Sequence, residues 1–383
     1  MTHAPTREDL FAEGTILLFS VSLGMGTVLV PLVATAAGYS LGSVGFLIGV
    51  AAVTQIIARA GMGALMDRFS TRTFILWAVT LLVVSFAILA LSDALWVFVL
   101  SQLLQGAGRA YFFTGTQTHV VRGARPAVSA LMIMNVTNGI GLLIGPLLGG
   151  FVGDVSLRLG LVAATLIGAL GIPACLLLTR YEPFVKPRPA PGEAAVPVWR
   201  RPGVMTAGWM GATAGAWRGT LNSYLSILVV EAGHAVPVAG AMMTVANLAA
   251  LGGSAVAGTV RRLGVRASAA LGTVLAAGGI AVMVFFLPHL VWAGVFLAIS
   301  GIGAGILQTL GPALGAEAVS AQERGRSIAL AGTFRAVSLL VVPMGIGALV
   351  FVLPSAAVAT AIVAVATAVP PLVVRGRRRP RDE

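Results

Sequence analysis

The sequence predicts an all-α membrane protein: twelve transmembrane helices in two pseudo-symmetric six-helix bundles. Three observations carry this expectation. Hydrophobic residues make up 57% of the 383 positions and charged residues only 10%, where a soluble domain is nearer one quarter charged. The few charges are spaced so that apolar runs of about 20 residues lie between them, the length that crosses a bilayer as a helix. Glycines, prolines and arginines recur at an offset close to half the chain length, the mark of an internal repeat. This composition excludes a soluble enzyme, a disordered chain and a nucleic-acid-binding domain.

The elements follow in order. Gly14–Ala58 is free of charge, and the turn-like Tyr39-Ser-Leu-Gly42 divides it into helices expected over 11–37 and 41–66. Thr73–Ser92 supports a helix over 72–92, and Ala94–Val121 another over 94–121 that contains Arg109. Ala127–Gly153 and Leu159–Thr179 place the fifth and sixth over 126–153 and 157–180. The seventh, over 202–231, contains Arg218. Ala235–Val260, Ala267–Pro288 and Leu290–Ala316 give helices over 236–262, 266–287 and 290–317. The eleventh, over 323–352, contains Arg335, and Pro354 separates it from the last, over 354–374. Residues 1–180 and 202–374 therefore form the two bundles. The segment 181–201, with five prolines, reads as an extended cytoplasmic linker, and 375–383 as a basic tail.

The net charge of +12 comes from 24 arginines and one lysine, Lys186. These cluster in alternate turns: Arg68 and Arg72, Arg122 and Arg125, Arg180 to Arg201, Arg261 to Arg266, and Arg324 and Arg326, with the termini. The opposite turns carry only Arg158. Cytoplasmic loops are enriched in basic residues, so both termini are expected in the cytoplasm of a multi-pass protein of the cell membrane. The basicity thus reflects topology rather than nucleic acid, although the tail could touch anionic lipid. No cleavable leader is expected, because the first apolar run is too long for one. The lone Cys175 lies in an apolar run and is expected as a packed thiol.

The turn after the second helix reads Gly63-Ala-Leu-Met-Asp67-Arg68-Phe-Ser-Thr-Arg72. It resembles the Gly-x-Leu-x-Asp-Arg-x-Gly-x-Arg loop signature of the major facilitator superfamily, with Ser70 in place of a glycine. The fifth helix carries Gly141-Leu-Leu-Ile-Gly145-Pro146-Leu-Leu-Gly149-Gly150. This resembles the antiporter signature of the same superfamily, associated with drug:proton exporters of the twelve-helix branch. The resemblance implies the major facilitator fold, alternating access, and an Asp67 contact across the halves that latches one conformation. Asp67 sits where a helix dipole disfavours an anion, so it calls for compensation from Arg68, Arg72 or the start of the eleventh helix, where Ser320-Ala-Gln-Glu323 resembles a capping box. Gly141, Gly145 and Gly149 make a flat seam on which another helix can lie, with Ala249, Gly253 and Ala257 of the eighth helix as a candidate partner. Where the superfamily's fourth helix carries an arginine tied to proton coupling, this chain has Gln102.

Arginines inside the bilayer are costly and usually face a partner or a wet cavity. Arg109, Arg218 and Arg335 are therefore the expected substrate contacts. Gln105, Tyr111, Asn135, Asn138, Trp217, Asn222 and Gln308 supply polar and aromatic surface at helical spacing. No carboxylate falls at mid-membrane, and Glu13 and Glu317 are the candidates for carrying a coupling proton. His119, at the end of the fourth helix, is expected to be a satisfied interfacial residue. No nucleotide loop, nucleophile constellation or metal spacing occurs, so neither an enzyme nor a cofactor or metal is expected. The expected function is export of a small organic molecule, amphipathic or anionic, by a monomeric transporter with proton antiport implied by the resemblance. Uptake or exchange of an organic anion is the alternative, and a sensor that keeps the fold without transport is a third.

Overall fold

A computed structural model of the chain describes residues 6–125, 127–183, 203–319, 324–353 and 355–373. Among these there is no strand, and thirteen α-helical segments follow one another. They are α1 (Arg7–Ala36), α2 (Leu41–Met66), α3 (Thr71–Leu91), α4 (Leu95–Val120), α5 (Ala127–Val155), α6 (Leu157–Leu176), α7 (Val204–Thr220), α8 (Ser226–Glu231), α9 (Val236–Val260), α10 (Val265–Met283), α11 (Leu290–Glu317), α12 (Arg324–Val350) and α13 (Ala356–Val373). A π-turn, Leu221–Leu225, joins α7 to α8. Nine of the described helices are individually long and apolar enough to cross a membrane. The other three expected spans correspond to α4, the segment containing α7 and α8, and α13. Gln102, Gln105 and Arg109 interrupt the apolar run of α4, and α7 is cut short by the π-turn.

The helices lack an apolar stripe because their outsides are as apolar as their insides. Leu91, Trp96, Val155, Leu166, Val291 and Trp292 are among many large apolar side chains that stand exposed. Water would not tolerate that surface, but lipid requires it. Inside, small and polar residues such as Ser20, Ser22, Ser85 and Ser101 are buried. Ser22 Oγ donates to Ala164 O at 2.7 Å, and Ser85 Oγ to Leu82 O at 2.7 Å.

Local caps set several helix ends. α1 starts at Arg7, earlier than the apolar pattern suggests, because Thr6 and Asp9 form a reciprocal capping box: Asp9 N donates to Thr6 Oγ1 at 3.2 Å and Thr6 N to Asp9 Oδ2 at 2.9 Å. Ser40, Ser70 and Ser156 cap α2, α3 and α6 through their hydroxyls.

The chain divides into two compact units. The first comprises Met1–Arg188 with Leu221–Thr244, and the second Pro189–Thr220 with Val245–Glu383. Within each, equivalent contacts repeat at a spacing of 195 to 197 residues. In the first unit a Cβ on Gly24 of α1 would lie 2.9 Å from Pro146 Cδ of α5; in the second, a Cβ on Gly219 of α7 would lie 3.4 Å from Pro343 Cδ of α12. Gly106 of α4 lies against Ala51 O of α2, and a Cβ on Gly301 of α11 would meet Ala246 O of α9 at 2.6 Å. The sequence repeat is thus a repeat of helix contacts, as the two pseudo-symmetric bundles require.

The candidate transport site

In the first unit the glycine seam of α5 packs on α1. A Cβ at Gly141 would meet Ser20 Cβ at 2.5 Å, one at Gly145 would meet Gly24 Cα at 2.8 Å, and one at Gly149 would meet Met25 Cα at 2.9 Å. The proposed partner Ala249-Gly253-Ala257 lies elsewhere: Gly253 abuts Ile302 O of α11, and Gly301 meets Ala249. The expectation fails because α1 offers Gly24 at the matching height, which lets two backbones close on each other, whereas the small residues of α9 serve its own packing on α11. The neighbouring face of α5 takes the start of α9, where a Cβ on Gly150 would lie 3.0 Å from Pro237 Cα. Thr244 Oγ1 donates to Leu143 O at 2.8 Å.

The loop motif is placed at the end of α2, whose C-cap is Asp67. Asp67 is half-buried and Arg68 exposed. Arg72 donates from Nη1 to Leu178 O at 3.2 Å, just past the end of α6. The capping box expected at Ser320–Glu323 lies outside the described residues.

On α4, Arg109 is half-buried, and its Nη2 donates to Gln105 Oε1 at 3.3 Å. Gln105 in turn donates to Ser101 Oγ at 3.2 Å. Gln102 is only 2% exposed, yet its Nε2 has no acceptor, and neither has Arg109 Nε. Tyr111 points away from this row, tilted against Phe74 and Trp77 of α3. On α5, Asn138 Oδ1 accepts from Ser20 Oγ at 2.8 Å, while Asn135 is exposed.

In the second unit Arg218 Nη1 donates to Asn247 Oδ1 of α9 at 2.6 Å, and its guanidinium lies 4.8 Å from the Trp217 ring centroid. Trp217 is buried, and its Nε1 donates to Ser300 Oγ of α11 at 3.0 Å. Arg335 and Gln308 are half-buried, and the backbone of Arg335 packs against Gly215 of α7. Asn222 falls in the π-turn and belongs to the first unit, with Oδ1 unpartnered. The extra residue of the turn breaks the helical spacing that put Arg218, Asn222 and Ser226 on one face.

The candidate coupling carboxylates are each bound by an arginine. Glu13 Oε1 accepts from Arg125 Nη1 at 2.5 Å, and Arg125 also contacts Asp9 at 3.3 Å. Glu317 accepts two bonds from Arg261, one at 2.7 Å. His119 is buried between Thr71 Oγ1 at 2.9 Å and Glu8 Oε1 at 2.7 Å, and is satisfied on both ring nitrogens. Glu8 also accepts from Thr179 N and Oγ1, so one carboxylate ties the start of α1 to the ends of α4 and α6. Outside the helices, Tyr181 sits beside Arg122, and burial raises its phenol above its usual value, with Glu8 adding to the rise. Among the described residues no cluster of His, Cys, Asp or Glu could hold a metal ion.

Sequence reasoning passed over Arg59 of α2. Its Nε is buried without an acceptor, one turn from the buried Gln55. The signal was present as a Gln-x-x-x-Arg spacing inside the helix expected over 41–66.

Apolar helices long enough to cross a bilayer, packed through small-residue seams and carrying cations in their interior, describe a multi-pass membrane protein. The sequence matches the Major Facilitator Superfamily over residues 14–343, and the chain belongs to that family. It is 26% identical over 155 residues to the class C tetracycline resistance protein of Escherichia coli, a stretch covering 40% of this chain and 39% of that protein. It is 26% identical over 174 residues to multidrug resistance protein 1 of Bacillus subtilis (strain 168), covering 44% of each. The matched stretches thus span less than half of these relatives. Among solved structures, a bacterial homolog of the human lysosomal transporter Spinster superposes with a TM-score of 0.73 at 16% identity, covering 97% of this chain and 96% of that one. The nucleoside transporter NupG gives 0.76 at 12% identity, covering 94% and 96%.

Proposed function

We propose that the protein is a secondary active exporter of a small amphipathic organic molecule, working by alternating access and driven by proton antiport across the cell membrane. The observation that carries this is the α1–α5 seam, where Gly24, Gly141, Gly145 and Gly149 bring two backbones into contact around Pro146. The likeness to tetracycline and multidrug resistance proteins supports the same direction of transport. In this reading 1–180 and 202–374 are the two rocking bundles, with the arginine-rich turns and both termini in the cytoplasm, and the monomer is the working unit. Arg109, Arg218, Trp217, Gln308 and Arg335 contribute to the substrate surface. Glu13 and Glu317 carry the proton only if their ion pairs with Arg125 and Arg261 open during the cycle.

A second reading, uptake or exchange of an organic anion, is favoured by the placement of every described carboxylate at or near a helix end or in a turn. Proteoliposomes with an imposed pH gradient separate the two. Export by antiport gives uphill substrate movement opposite in direction to protons flowing down their gradient, and movement of protons when substrate is added. Substrate flux indifferent to the pH gradient excludes antiport. Arg218→Ala is expected to reduce flux at least tenfold; unchanged flux removes that arginine from the site.

A further inference from the structure

Three buried donors on two adjacent helices of the first unit lack acceptors: Arg59 Nε on α2, and Gln102 Nε2 and Arg109 Nε on α4. Native proteins leave few such groups, and each one calls for an explanation. The helices run in parallel, because residues later in α2 contact residues later in α4. Tyr39 Oη, just before α2, donates to Asp93 O, and further along Thr54 Oγ1 donates to Leu103 O at 2.8 Å. Residues 51–54 are therefore level with 103–106, where Gly106 lies against Ala51 O. Arg59 and Arg109 both lie beyond this crossing, about 2 to 8 Å apart in depth at ~1.5 Å per residue, a gap that two arginine side chains span.

The direction of the α4 row is set by its neighbours. Gly106 marks the side against α2, and Phe112, stacked 3.6 Å from Phe19, marks the side against α1. Gln102 and Arg109 fall between them on the helical wheel. Gln55, one turn before Arg59, adds a buried amide on α2. The carboxylates described in this unit, Glu8, Asp9, Glu13, Asp67, Asp93, Asp154, Glu182 and Glu231, stand at or near helix ends or in turns. None of them accepts from Arg59 Nε, Gln102 Nε2 or Arg109 Nε. On α2 and α4 the unmet groups are all donors, and two belong to cations, so the missing partner is rich in acceptors and negatively charged.

We propose that α2 and α4 form a subsite for the carboxylate of an organic substrate, with Arg59, Gln102 and Arg109 as its donors. Arg59 and Arg109 neutralise the charge, and Gln102 takes an oxygen at the far end of the row. The proposal rests on the reading of the chain as a transporter of small organic molecules, and it names the charged end of that substrate. It does not involve Arg218, which donates to Asn247.

The test uses the full chain in detergent micelles, with 2-naphthoate and 2-naphthamide as probes that share a ring system and differ in charge. Thermal unfolding and equilibrium binding are read without flux, so failure of the export reading leaves this result standing. Naphthoate is expected to bind at least tenfold tighter than naphthamide, and Arg59→Gln or Arg109→Gln to remove that preference. Equal protection by the two compounds, including no protection by either, overturns the proposal. So does protection by sulfate matching that by naphthoate, which would make the site one for inorganic anions. A second measurement needs no ligand. If these donors are held unpaired for a substrate, then Arg59→Met and Arg109→Met should raise the melting temperature of the empty protein by about 2 °C or more. A fall, or no change, would mean that the guanidinium groups brace the scaffold, and would overturn the assignment.

Discussion

At the residue scale, the contrast lies between polar groups that are met and those that are not. His119 is the clearest of the met ones. It bridges Thr71 and Glu8 inside the arginine-rich end of the first unit, where Glu8 also takes two donors of Thr179. Removing the imidazole leaves the buried Thr71 Oγ1 without its partner and takes one donor from Glu8, and an unsatisfied buried group costs about 1–3 kcal/mol. His119→Ala should therefore lower thermal stability by that amount in a detergent melt. A double-mutant cycle with Glu8→Ala should return a coupling of about 0.5–3 kcal/mol. Additive losses would mean that the pair does not interact in solution. Trp217→Phe loses the bond to Ser300 and leaves a cavity where the second ring stood, at a combined cost of about 1–3 kcal/mol. The sequence made Arg109, Arg218 and Arg335 visible as charges in apolar runs. It did not reveal which were met, because a guanidinium finds its acceptor on a distant segment: Arg218 on α9, Arg72 just past the end of α6.

At the element scale, helix spacing is governed by where a Cβ is missing. Membrane helices gain nothing from hiding apolar surface from each other, so close backbone approach supplies the attraction. The α5 seam depends on this: a methyl on Gly145 would run into Gly24 Cα at 2.8 Å and Met25 N at 3.0 Å, all backbone that cannot step aside. Gly145→Ala should cost about 1–3 kcal/mol through strain and forced separation of α1 and α5. Gly278 of α10 is the control, with nothing within 4 Å of an added Cβ. Gly278→Ala should be neutral or stabilise by up to about 1 kcal/mol, because alanine is the better helix former. Equal effects at the two sites would show that the seam does not bear on stability. The glycine period of four was legible, but its partner was not. Both α1 and α9 carry small residues, and only the height of Gly24 against Gly145 selects α1. The π-turn at Leu221–Leu225 was also hidden, since LNSYL has no composition that marks an inserted residue.

For the whole molecule, the repeat offers a comparison that a single helix cannot. Gly24–Pro146 and Gly219–Pro343 occupy equivalent places, but the first is closer, 2.9 Å against 3.4 Å for an added methyl. Gly24→Ala should therefore lower the melting temperature more than Gly219→Ala. The reverse order would mean that the two units do not share one packing scheme. The sequence by itself determined the membrane class, the helix order, the repeat and the family, because apolar length, charge spacing and glycine periodicity are local and survive without coordinates. Only the tertiary structure decided that the seam closes on α1, that Glu13 and Glu317 are bound by arginines, and that Arg59 joins Arg109 and Gln102 as donors without acceptors. Those outcomes depend on the height and facing of helices distant in the chain, and no pattern within one helix encodes the position of its neighbour.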